Sequence, residues 1–153
     1  MTTSTRKRSV FVGLFLIVSL LLIMASMSFG DEMTMSPHKF ILNAKGQFED
    51  AQAVIRMAIQ PGYQLSDYQV SLAFNNVYII DALDLYYCYI DDNFIAYFDR
   101  NAIQANPLVI DMAGQTVTAT VSGWFEAVDA DGNTYTQAFS CNDLVEILDP
   151  DKK

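Results

Sequence analysis

The chain has 153 residues, 52% of them hydrophobic, and a formal charge of −9, so it can bury a core as one domain but repels nucleic acid and anionic lipid. One histidine and two cysteines exclude a Cys/His metal cluster. The sequence has no glycine-rich phosphate loop and no nucleophile elbow.

Arg6-Lys7-Arg8 precede an apolar run from Val10 to about Met24, which gives way to Ala25, Ser26, Ser28 and Gly30. This is the order of a secretory signal peptide, with Ser28 and Gly30 suited to the −3 and −1 places, so cleavage is expected after Gly30. The product would be secreted or periplasmic. The alternative is membrane anchoring by an uncleaved segment, since residues 10–29 reach the roughly 20 residues that span a bilayer. All eighteen acidic residues follow Gly30 and three of the nine basic ones precede it, so the cleaved chain carries −12.

Residues 31–37 are polar and Met-rich and are expected to be flexible. Met33, Met35 and His38 form an M-x-M-x-x-H group whose soft ligands suit copper(I), although chance composition produces such a group as well. Phe40–Ala44 reads as a first strand. Ala51–Ile59 is β-branched, apolar and closed by Pro61-Gly62, which favours a second strand over a helix. Tyr68 to Phe74 alternates cleanly, Asn75-Asn76 is a turn and Val77–Ile80 a short strand. Leu83–Ile90 and Phe94–Phe98 flank Asp91-Asp92-Asn93, a hairpin whose three-residue loop would put Asn93 in the left-handed region. Arg100–Gln104 forms one helical turn, Asn106-Pro107 interrupts it, Ala113-Gly114 turns again, and residues 150–153 are a charged tail.

The last hairpin is the most informative stretch. Val117, Ala119, Val121, Gly123, Phe125 and Ala127 alternate with Thr, Ser, Trp124 and Glu126, the pattern of a half-buried antiparallel strand. A two-residue loop at Asp131-Gly132 would pair Trp124 with Phe139 and scatter the apolar residues over both faces. A three-residue loop, Ala130-Asp131-Gly132, pairs Val121 with Cys141 and Gly123 with Phe139 and keeps them together. The second register is therefore expected, with Cys141 inward and Trp124 outward.

Seven to nine short strands without a long amphipathic helix predict an all-β, antiparallel β-sandwich over residues 38–149, of immunoglobulin-like architecture. The Cys…Trp…Cys spacing of true immunoglobulin domains is absent. Two cysteines in an exported chain suggest a Cys88–Cys141 disulfide worth about 4 kcal/mol, the alternative being two unbonded, buried cysteines. With Cys88 inward, Tyr86 and Ile90 join the core beside Phe94, Ala96 and Phe98. Leu85, Tyr87, Tyr89, Ile95 and Tyr97 then form an apolar outer face, covered by another segment or used for binding.

Asp129, Asp131 and Asn133 resemble part of a calcium loop and are weak Ca²⁺ candidates; the glutamate such a loop needs falls on Ala138. A turn rich in Asp, Gly and Asn explains the same residues. His38 is the only histidine available to a Ser-His-Asp triad and lies in the segment expected to be mobile. No cofactor and no enzymatic activity are expected. The expected function is interaction with a protein partner or self-association at a cell envelope, with strand addition through the Phe40 segment as one mode. The alternative is a carbohydrate-binding module stacking polysaccharide on Trp124 or on Tyr87, Tyr89 and Tyr97, and the second alternative a small enzyme or a calcium-stabilised domain.

Overall fold

The computed structural model describes residues 27–29, 32–42 and 48–151, in ten strands and two short helices. The strands are β1 (Met27–Phe29), β2 (Met33–Ser36), β3 (Lys39–Ile41), β4 (Ala51–Arg56), β5 (Tyr63–Phe74), β6 (Val77–Asp81), β7 (Asp84–Cys88), β8 (Asn93–Phe98), β9 (Thr116–Asp129) and β10 (Thr134–Leu148). The helices, here α1 (Arg100–Ala105) and α2 (Pro107–Ile110), lie between β8 and β9. One sheet runs β1-β10-β9-β5-β6, with β3 also on β10; the other runs β2-β4-β8-β7. All pairings are antiparallel except those of β1 and β3 with β10. The all-β sandwich is the observed class. The expected signal segment lies outside the described residues except for β1.

The β9–β10 hairpin has the three-residue loop. Asp129 N–H donates to Asn133 O at 3.0 Å, Gly132 has φ +84°, and Val121 lies opposite Cys141. Val117, Ala119, Val121, Phe125 and Ala127 are consequently buried together with Phe139, Cys141, Val145 and Ile147. The β5–β6 hairpin turns on Asn75 and Asn76, both at positive φ, as a two-residue turn of this hand requires. β5 begins five residues before the alternation becomes legible. A bulge between Leu65 and Asp67 breaks the period there, while pairing to β9 continues as far as Tyr63.

Residues 31–37, expected to be loose, instead supply β2, whose Met33 and Met35 side chains are buried. Two thioethers two residues apart on a strand point the same way, here into the core, which removes them from any soft-metal site with the exposed His38. The chain leaves β2 through a cis Ser36–Pro37 bond and joins the other sheet as β3. Met35 N–H donates to Asp143 Oδ2 at 2.8 Å, and Glu146 N–H to His38 O at 2.8 Å, so this crossing ties the two sheets together.

Asn106-Pro107 starts a second helix rather than merely interrupting the first. Asp99 caps α1 through Ala102 N–H, and Asn106 caps α2 through Leu108 N–H, with Pro107 in the first turn, where its missing donor costs nothing. The helices bury Ile103 and Val109.

The β7–β8 hairpin differs from expectation. Its loop is four residues, 89–92, with Cys88 opposite Asn93 and Asp92, not Asn93, at positive φ. The register moves by an odd number of residues, and in a period-2 structure that turns β7 over. Leu85 and Tyr87 enter the core opposite Ala96 and Phe94, while Tyr86 and Ile90 face out. Cys88 goes with them, half-exposed on the outer side, whereas Cys141 is buried between the sheets. The expected disulfide is therefore not formed. The outer face shared by Tyr87, Tyr89 and Tyr97 disappears for the same reason.

Phe94 and Phe125 meet across the sandwich with ring centroids 4.7 Å apart, while Phe40 and Phe74, both on the β10-β9-β5 sheet, pack at 5.7 Å. Beside them, β5 approaches β9 so closely at Gly123 that an added Cβ would lie 1.9 Å from Gln69 O. Only glycine fits this crossing. Gly123→Ala should lower the unfolding free energy by about 3 kcal/mol in urea titrations, the upper end of ordinary overpacking, because the obstructing atom is backbone.

Candidate functional site

The turns after β4 and β7 come together at one end of the sandwich and enclose an open cleft of about 330 Å³. Its walls include Ile59, Gln60, Tyr63, Tyr87, Tyr89 and Asp92. Pro61-Gly62, with Gly62 at φ +87°, reverses the chain so that Tyr63 returns beside Gln60. Asp92 is held by its backbone carbonyl, which accepts from Met57 N–H at 3.2 Å.

Tyr87 joins the two turns. Its hydroxyl accepts from Ile59 N–H at 3.0 Å and donates to Asp92 Oδ1 at 2.8 Å. Its ring stands edge-on to Tyr89 with centroids 4.7 Å apart and lies 4.8 Å from Phe94. Tyr135 does the parallel job on the other side: its hydroxyl accepts from Gln60 N–H at 3.0 Å, and its ring braces Tyr63 at 5.0 Å. Burial, with the carboxylate of Asp92 adding to it, pushes the Tyr87 phenol above its ordinary range. Tyr68 is raised too, first by burial and then by its hydrogen bond to Asp84 Oδ1 at 2.9 Å.

The residues singled out from the sequence do not form one surface. Tyr87 is only 4% exposed and is a wall of the cleft, not a surface platform. Tyr89 sits in the turn and is exposed. Tyr97 is half-buried on the outer face of its sheet, opposite Gln52 and Asp84. Trp124 lies on the other sheet, outward as expected and half-buried, between Gln69 and Ala138. The Asp129 carboxylate is engaged by its own turn: Oδ1 accepts from Asp131 and Asn133 N–H, and Oδ2 from Asn133 Nδ2. The Asn133 side chain and these amides hold its pKa below the usual carboxylate range. Among the described residues, no three His, Cys, Asp or Glu side chains are grouped to hold a metal ion.

The sequence reading missed Gln60, Tyr63 and Asp92 as wall residues, and Tyr86 and Ile90 as surface. One signal for them existed: Tyr89-Ile90 stand beside two aspartates where the chain reverses, and apolar residues in a turn have no fold-level reason to be there. Ile90 is 91% exposed, with Tyr86 and Tyr89 also in solvent.

Family models, curated proteins and solved structures were each compared with the chain, and none matches it.

Tyr87→Phe leaves Ile59 N–H without its acceptor in a buried setting and should destabilise the fold by about 1–3 kcal/mol. A raised folded-state pKa means that the unfolded chain ionises first, so stability is unaffected below about pH 10 and falls as pH rises beyond it. Urea midpoints measured from neutral to alkaline pH should show that fall, and Tyr87→Phe should flatten part of it.

Proposed function

We propose that the protein is an exported, non-enzymatic domain of immunoglobulin-like architecture that assembles with a second copy through the β7 edge. Support for the architecture comes from strand order. One sheet of four, β2-β4-β8-β7, faces another built on β10-β9-β5-β6, and the first segment is divided between them as β2 and β3. Support for a non-enzymatic role comes from the carboxylates, which serve structure: Asp92 holds Tyr87, Asp84 holds Tyr68, Asp129 holds its own turn and Asp143 holds β2.

The observation that carries the assembly reading is the conjunction at β7. This strand ends its sheet with no partner on its outer side among the described residues, and it presents Tyr86, followed by Tyr89 and Ile90, to solvent. An open edge supplies backbone donors and acceptors for pairing, and natural edges of this kind are normally blunted by charge. β7 has only Asp84, at its start. Burying a side chain such as Ile90 contributes about 1.5–3 kcal/mol. Export with cleavage after Gly30 also takes β1 off Ala138–Ser140 and opens that stretch of β10.

The exported protein should have the intact mass of residues 31–153 and sediment as a dimer that dissociates on dilution. Ile90→Asp should weaken the dimer by about tenfold or more. A monomer that persists at high concentration removes the reading.

Trp124 supports a second reading, binding of polysaccharide on the opposite sheet. It stands on a face of small polar residues, with Ser71, Ser122 and Ser140 in the adjacent cross-strand row, which leaves a sugar ring room to stack. Trp fluorescence, which in this chain comes from Trp124 alone, should then shift with at least one polysaccharide in a broad panel, and Trp124→Ala should lose its retardation by that polysaccharide in affinity electrophoresis; silence across the panel eliminates this reading.

A further inference from the structure

We propose that the cleft walled by Tyr63, Tyr87, Tyr89 and Asp92 is a binding site for a small organic cation, an ammonium or quaternary ammonium head group. Its volume of about 330 Å³ lies at the small end of the range for ligand sites. Three tyrosines line it, and aromatic rings present negative faces that attract a cation within about 6 Å of their centres. The ring arrangement is held from behind: Tyr87 is set edge-on to Tyr89, and Tyr63 is braced by Tyr135. Preorganised rings give up little freedom when a ligand enters.

The polar groups point to the same ligand class. Asp92 is the one carboxylate of the lining, and no Lys, Arg or His shares the lining with it. Its Oδ1 takes the Tyr87 hydroxyl proton, and an ionised carboxylate has further acceptor sites to offer. Two backbone donors of the β4–β5 turn are already committed, Ile59 N–H to Tyr87 and Gln60 N–H to Tyr135. Those amides are not available to an anion or to the hydroxyls of a sugar. What the cleft presents is a carboxylate beside tyrosine rings, the complement of a ligand that is positive and partly apolar. The chain's charge of −9 raises the local concentration of such ligands.

This site is independent of assembly at β7, although Tyr89 borders both. The test compares choline with 3,3-dimethyl-1-butanol, its uncharged isostere, and with a neutral disaccharide, by nuclear magnetic resonance titration of the exported protein. Choline should saturate in the millimolar range and shift the resonances of Tyr63, Tyr87 and Tyr89, with the isostere at least about tenfold weaker. Asp92→Asn keeps an acceptor for the Tyr87 hydroxyl while removing the charge, so it should weaken choline and leave the isostere unchanged. The same variant leaves the β7 edge intact, so its sedimentation separates loss of this site from loss of assembly. Equal binding of choline and its isostere, preferential binding of the disaccharide, or shifts outside the cleft would each overturn the proposal; the first two comparisons need no variant.

Discussion

The turn at Asp129–Asn133 governs the molecule. Its three-residue loop sets the register of the two longest strands, and that register decides which residues of β9 and β10 meet between the sheets. β5 then takes its place against β9, with Gly123 admitting it at close range, and β6 follows β5 through the Asn75-Asn76 turn. One short loop thus orders most of a sheet. The Asp129 carboxylate that resembled part of a calcium loop is the group that builds this turn.

The second sheet is held against the first by packing and by hydrogen bonds, not by the expected disulfide. Phe94 meets Phe125 across the interface, Met33 and Met35 fill the space beneath β10, and Asp143 takes the β2 backbone. A disulfide between sheets would have served the same end. Here the burial of six phenylalanines and the crossing of the N-terminal segment from one sheet to the other do so, which is within the means of a chain long enough to enclose a core.

Tyr87 shows how structure and surface chemistry share one side chain. Its ring belongs to the core, its hydroxyl ties the turn after β4 to the turn after β7, and the same residue walls the cleft between them. The same turnover of β7 that buries Tyr87 sends Tyr86 and Ile90 into solvent. A cleft and an exposed edge are therefore two consequences of one register.

What the sequence by itself determined was local and periodic: the β class, the inside and outside of β9, the register of its hairpin, the Asn-Asn turn and the start of α1. Each of these depends on residues within a few positions, and alternation over twelve residues leaves only one register that keeps a face apolar. The β7–β8 hairpin was not decided in this way. Leu85, Tyr86, Tyr87, Cys88, Tyr89 and Ile90 are apolar on both faces, so their pattern does not choose a side. The choice came from partners distant in sequence: Ile59 N–H waiting for a hydroxyl, and Phe125 closing over Phe94 from the other sheet. β2 was hidden for the same reason, since two methionines among polar residues become a strand only when β4 lies beside them. Contacts of this kind exist only once the sheets have stacked, and the cleft, which is made from two turns about thirty residues apart, exists only then as well.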